Sequence, residues 1–152
     1  MFPIAGKSSF ILKLVEHREL LFDKVFQRII YCLPRNSGHQ HYAFSDKLRK
    51  ACHFIEIVEG LPTQLSLTHD TEAKLIIMDD LIMEVVNSPS ICNMFVRDSH
   101  HANLSIIYTS QNIYVSSRHG VTISRNCSEL VIFNAKGDQQ VLSNLGNREI
   151  KF

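Results

Sequence analysis

With 152 residues, 45% of them hydrophobic and 20% charged, the chain has the size and composition of one globular domain able to bury a core. A formal net charge of +1 excludes a global basic field of the kind that advertises nucleic acid, and no acidic tail is present. No apolar run approaches a membrane span, the N-terminus carries no signal-peptide pattern, and the four cysteines form no CxxC pair, which suits reduced thiols in an intracellular protein, nuclear or cytoplasmic, with no membrane partner.

In chain order, residues 8–22, SSFILKLVEHRELLF, set apolar side chains at helical spacing with charges between them, and Phe10, Leu12, Leu14 and Val15 read as core. RIIYCL, 28–33, is a β-rich run closed by Pro34. The stretch 35–46, rich in Ser, Asn, Gly and His, reads as a loop, and 47–52 as a helical turn whose KLRK is a solvated face before it is a DNA contact. FIEIV, 54–58, is a strand stopped by EGLP. Leu75, Ile76, Ile77 and Met78 have no polar face to show water, so they read as a strand buried on both sides. Residues 80–98 read as helix in two pieces, broken near Asn87, Ser88 and Pro89. LSIIYTS, 104–110, and ELVIF, 129–133, read as further strands, and 138–145 as a closing helix. Strands alternating with helices predict a single α/β domain with a mostly parallel sheet, without internal repeats.

Two motifs carry chemistry. PIAGKSS, 3–9, ends in the Gly-Lys-Ser of a phosphate-binding loop, G-x-x-x-x-G-K-[ST], at the start of an amphipathic helix. Backbone N–H groups around Gly6 and the first helical turn can face phosphate oxygens, Lys7 can reach the β and γ phosphates, and the Ser8 hydroxyl can meet Mg2+. The second motif is KLIIMDDL, 74–81, a buried strand that runs into Asp79 and Asp80. Asp79 suits the same Mg2+, and Asp80 the activation of water, at the rim where an α/β fold puts its ligand. The plain alternative is a capped helix start and an Asp79 that caps the next helix. The first glycine of the motif belongs at position 1, which is Met1, so the strand that ordinarily feeds such a loop would lie before residue 1 and the domain reads as incomplete at its N-terminus.

The series GKSSFILKLVEHRELLF, RIIYCL, EGLP, KLIIMDDLIMEV, FVRDSHHANLSIIYTSQN, TISRN and ELVIFNAKGDQQ resembles the genome-packaging ATPases of the FtsK/HerA superfamily. It is most similar to the poxvirus-type enzymes of large DNA viruses and Maverick/Polinton transposons. The resemblance spans nearly the whole chain. It implies a RecA-like P-loop NTPase core with the first strand missing, Walker A and Walker B motifs, ATP as substrate and Mg2+ as cofactor. It also implies a homo-oligomeric ring, usually a hexamer, that drives double-stranded DNA into a capsid, with capsid or portal components as further partners.

By the same resemblance, Gly6, Lys7, Ser8 and Ser9 match the phosphate loop, Asp79 the metal-binding carboxylate and Asp80 the general base. Gln111 matches the γ-phosphate sensor that ends the next strand, with Asn112 after it. The chain departs from the pattern at Met1, at Arg125, a charge in a strand-like run, and in AKGD, 135–138, which lacks the arginine expected before the aspartate. Either Lys136 or Arg118 serves as the trans-acting finger, with Lys lacking the planar fork, or the finger is lost. A catalytically impaired remnant that only binds nucleotide or scaffolds other subunits is the second reading. A small-molecule kinase is weaker, since 112–128 offers only Arg118 and Arg125 for a lid. His100 and His101 point about 100° apart on a helix and read as a helix-end or interface feature before a metal site. Tyr108 and Tyr114 read as buried.

Overall fold

The computed structural model describes residues 6–63, 71–98, 103–111, 117–131 and 133. Its frame is a four-stranded sheet of β1 (Arg28–Leu33), β2 (Ile55–Glu59), β3 (Lys74–Met78) and β4 (Leu104–Tyr108), in the order β2-β1-β3-β4. All three pairings are parallel, with Ile30 opposite Glu56 and Ile76, and Ile76 opposite Ile106. Parallel neighbours require crossover connections. These are α3 (His39–Ala51) between β1 and β2, and α4 (Ile82–Val86) and α5 (Pro89–Asn93) between β3 and β4. The strand read at 75–78 lies directly beside the one read at 104–110.

β1 and β3 each have two neighbours, and their sequences show it: past Arg28 every residue of RIIYCL is buried, as is all of KLIIM. Side chains alternate across the sheet. On one face Ile29, Tyr31, Leu33, Leu75 and Ile77 pack against Ile11 and Val15 of α1 (Lys7–Glu16) and Leu48 of α3. On the other, Ile30, Cys32, Ile76 and Met78 pack against Leu81, Val85, Ile91, Phe95 and Ile123. The result is a three-layer α/β fold. β2, at one edge of the sheet, leaves its two glutamates, Glu56 and Glu59, exposed, and Arg28 meets Glu56 through two hydrogen bonds of 3.0 and 3.1 Å. Among the described residues no helix is long and apolar enough to cross a membrane.

Four sequence expectations change. The helix expected over 8–22 breaks at His17 into α1 and α2 (Arg18–Leu21), and its buried positions are Ile11 and Val15, with Phe10, Leu12 and Leu14 half-buried. The expected loop at 35–46 is helical from His39 onward. Nothing after Gly38 breaks a helix, Ser45 and Leu48 are buried on one side of it, and Phe44 packs edge-on against Tyr31 at 5.8 Å. In the KLRK segment Leu48 is buried, Lys47, Arg49 and Lys50 are exposed, and Arg49 pairs with Asp46. The third change concerns the strand-like run around Arg125, ISRN, which together with its flank forms α6 (Arg118–Asn126). Ser117 caps that helix by accepting from Gly120 N–H at 2.9 Å, Gly120 and Ile123 turn to the core, and Arg125 lies exposed, so its charge costs no burial. Finally, ELVIF forms no strand among its described residues 129–131 and 133. Leu130 and Val131 are exposed, and Phe133 packs on the start of α1. A π-helical turn, Met94–Asp98, follows α5. The closing helix at 138–145, His100, His101, Asn112, Tyr114 and Lys136 lie outside the described residues.

Candidate functional site at the C-terminal edge of the sheet

From β1 the chain leaves to one side to form β2 and returns to the other side to form β3, with α3 covering one face and α4 and α5 the other. The gap between the C-terminal ends of β1 and β3 is therefore the topological switch point, where open α/β sheets bind ligands. Asp79 stands there.

The ladder continues one residue past the strands. Asp79 N–H donates to the Cys32 carbonyl at 2.9 Å, and Thr109 N–H donates to the Met78 carbonyl at 2.9 Å. The Asp79 side chain is only 6% exposed, so its oxygens need partners. Tyr31 Oη donates to Oδ2 at 2.5 Å, and the Thr109 hydroxyl donates to Oδ1. Thr109 Oγ1 also accepts from Asp80 N–H at 3.1 Å. One carboxylate thus joins β1 to the ends of β3 and β4. Tyr31 is fully buried, and burial first, then the nearby Asp79 charge, pushes its phenol well above the ordinary range, so it stays a donor.

Asp80 sits in the left-handed region at φ 56°, a conformation a short polar side chain tolerates, and its carboxylate is exposed. Neither aspartate caps a helix: α4 is preceded by Leu81 and has no side-chain cap. The plain alternative for the Asp pair is therefore not what the chain does with it.

The direction of α1 brings the Gly-Lys-Ser turn to this same end. Beyond the last turn of α1, Arg18 donates to the Ala51 carbonyl at 3.5 Å and lies 5.3 Å over the Phe54 ring. Ala51 ends α3 and Phe54 leads into β2, so the C-terminal end of α1 is where the strands begin. At the other end of α3, Tyr42 Oη donates to Glu59 at the close of β2, at 2.8 Å. The first turn of α1 therefore faces the edge where the strands finish. Phe10 N–H donating to the Gly6 carbonyl at 3.0 Å is the first helical bond, which leaves the N–H groups of residues 7, 8 and 9 without a carbonyl behind them in the helix. Gly6, Lys7 and Ser8 are half-buried and Ser9 is exposed. Gly6 has no side-chain cap. No ion pair joins Lys7 to Asp79 or Asp80 among the described residues. Gln111 is exposed, three residues past the end of β4 on the same edge; the hydroxyl that meets Asp79 is Thr109.

Sequence reasoning passed over Tyr31 and Thr109. A signal existed for the first: a phenol inside the aliphatic run RIIYCL must find a buried acceptor. Thr109 carried no such signal, because its role depends on β4 lying beside β3.

Hard oxygen donors suit Mg2+, and a carboxylate that accepts two hydroxyls keeps free lone pairs, so Asp79 with Ser8 fits that ion in kind. Among the described residues no group of three or more His, Cys, Asp or Glu side chains could hold a metal by itself. No protein-family model matches the sequence, and no curated protein or solved structure matches it significantly.

Proposed function

We propose that the chain is a P-loop nucleoside triphosphatase of the FtsK/HerA packaging type, hydrolysing ATP to move double-stranded DNA as a ring of subunits. What supports this most is that two motifs far apart in sequence sit toward the same end of one sheet. Asp79 and Asp80 follow β3, and the direction of α1 points the Gly-Lys-Ser turn toward that same end of the parallel sheet, the end at which open α/β sheets generally bind ligands. In this reading the N–H groups of residues 7–9 and the Lys7 ammonium hold the phosphates, and the Ser8 hydroxyl and Asp79 hold Mg2+. The ion, when bound, offsets charge on the β and γ phosphates. Asp80, exposed and unburdened by capping, takes the proton of the attacking water, and the Gln111 amide orients that water or the γ-phosphate. Arg118, exposed at the start of α6, is the described candidate for the finger offered to a neighbouring subunit.

The second reading, a scaffold without turnover, is favoured by the Tyr31–Asp79–Thr109 clamp, since a carboxylate that ties three strands has a structural reason to exist. Asp80 and Lys7 separate the two. Asp80→Asn is expected to leave Mg2+-ATP binding nearly intact and to slow hydrolysis by about 10²–10⁴-fold. Lys7→Ala is expected to weaken binding itself. Equilibrium nucleotide binding and steady-state phosphate release, with and without double-stranded DNA, are the measurements. Turnover in both variants equal to that of the parent would overturn the motor reading, and absence of turnover in a parent that folds would favour the scaffold.

A further inference from the structure

Phe133 has no role in the site as described, yet it touches it. Its ring lies against Phe10 of α1, edge to face, with centroids 5.5 Å apart and planes at 69°. A Cβ built on Gly6 would stand 2.9 Å from Phe133 Cδ1 and 3.1 Å from Cγ, so the ring occupies the space that a side chain at position 6 would fill. The same ring is 40% exposed. An aromatic ring that keeps two-fifths of its surface open, seated on the helical turn whose N–H groups have no helical acceptor, offers apolar surface beside those N–H groups. That pairing matches a molecule with a charged end and a flat base.

We infer that Phe133 is the base-stacking platform of the site, taking the nucleobase of a nucleoside triphosphate on its exposed ring surface while the first turn of α1 takes the phosphates. The inference rests on the phosphate reading above and adds the part of the ligand that Phe133 meets. Stacking on an aromatic ring is tolerant of base identity, because every base has a π face. Adenine and guanine nucleotides are therefore expected to bind alike, and both more tightly than inorganic tripolyphosphate, which has no base.

The test is the binding of Mg2+ complexes of ATP, GTP and tripolyphosphate to the full chain, to Phe133→Ala and to Phe133→Leu. Leucine keeps an apolar contact with Phe10 and removes the π face, so it guards against a variant that fails to fold. Both variants are expected to lose roughly 5- to 150-fold in affinity for ATP and GTP, with tripolyphosphate unchanged. An equal loss for all three ligands would make Phe133 a prop for α1 and overturn the platform. Tighter binding of all three would make it a cover and overturn it equally. A parent that binds ATP and tripolyphosphate alike, both dependent on Lys7, sinks the platform and spares the phosphate reading. A parent that binds neither sinks both.

Discussion

Removing one oxygen, in Tyr31→Phe, probes the centre of the site. The phenol is fully buried and donates to Asp79 Oδ2 at 2.5 Å, and the carboxylate that accepts it is 6% exposed. Phenylalanine keeps the ring and its edge contact with Phe44. What is lost is one hydrogen bond to a charged group, about 1.5–3 kcal/mol, with one carboxylate oxygen left short of a donor. For a chain of this length that corresponds to a fall in Tm of roughly 3–12 °C. Urea denaturation at neutral pH should show the loss with an unchanged m-value.

A pH series sharpens the test. In the unfolded chain Tyr31 ionises near its ordinary value of 10.0, whereas the folded site holds the proton far above that. Above pH 10 the unfolded state therefore releases a proton that the folded state keeps, and stability falls as pH rises, by about 1.4 kcal/mol per pH unit from this group. Below pH 10 the contribution is fully present. Cys32, a buried thiol pushed up to about 12, and Tyr108, raised by burial to about 12, add alkaline losses of their own. These are common to parent and variant and cancel in the difference. The gap between parent and Tyr31→Phe should be constant from about pH 8 to about pH 10 and shrink above it. A gap that stays constant to about pH 11.5, or no gap at neutral pH, would refute the claim that Tyr31 is the buried donor to Asp79.

Two further outcomes test the frame that holds the site. Ile77→Ala, in the central strand and fully buried beneath α1 and α3, should cost about 2–5 kcal/mol in urea unfolding, the range for a core cavity, and an exposed-residue cost below about 0.5 kcal/mol would place β3 elsewhere. Ser117→Ala removes the side chain that accepts from Gly120 N–H and should cost about 0.5–2 kcal/mol with some loss of helical circular dichroism; no change would argue against a helix beginning at Arg118.

Much of the fold was legible in the sequence because burial on both faces leaves a mark that needs no partner to read. RIIYCL and KLIIM have no polar face, so they announce central strands of a covered parallel sheet wherever their neighbours lie. The Gly-Lys-Ser turn and the paired aspartates after β3 are likewise local features, visible from residue type alone. The sequence could not assign segments whose local preference is ambiguous. The run around Arg125, preceded by β-branched residues, reads as strand-like, but a serine cap at Ser117 and the burial of Gly120 and Ile123 make it helix. ELVIF has strand composition, yet its described residues pair with nothing and its phenylalanine settles on Gly6 instead. Above all, the partners of Asp79 belong to tertiary structure. Tyr31 and Thr109 reach it only because β1 and β4 flank β3 in this order and register, and hydrogen bonds between strands distant in sequence are set by that pairing, not by any residue read on its own.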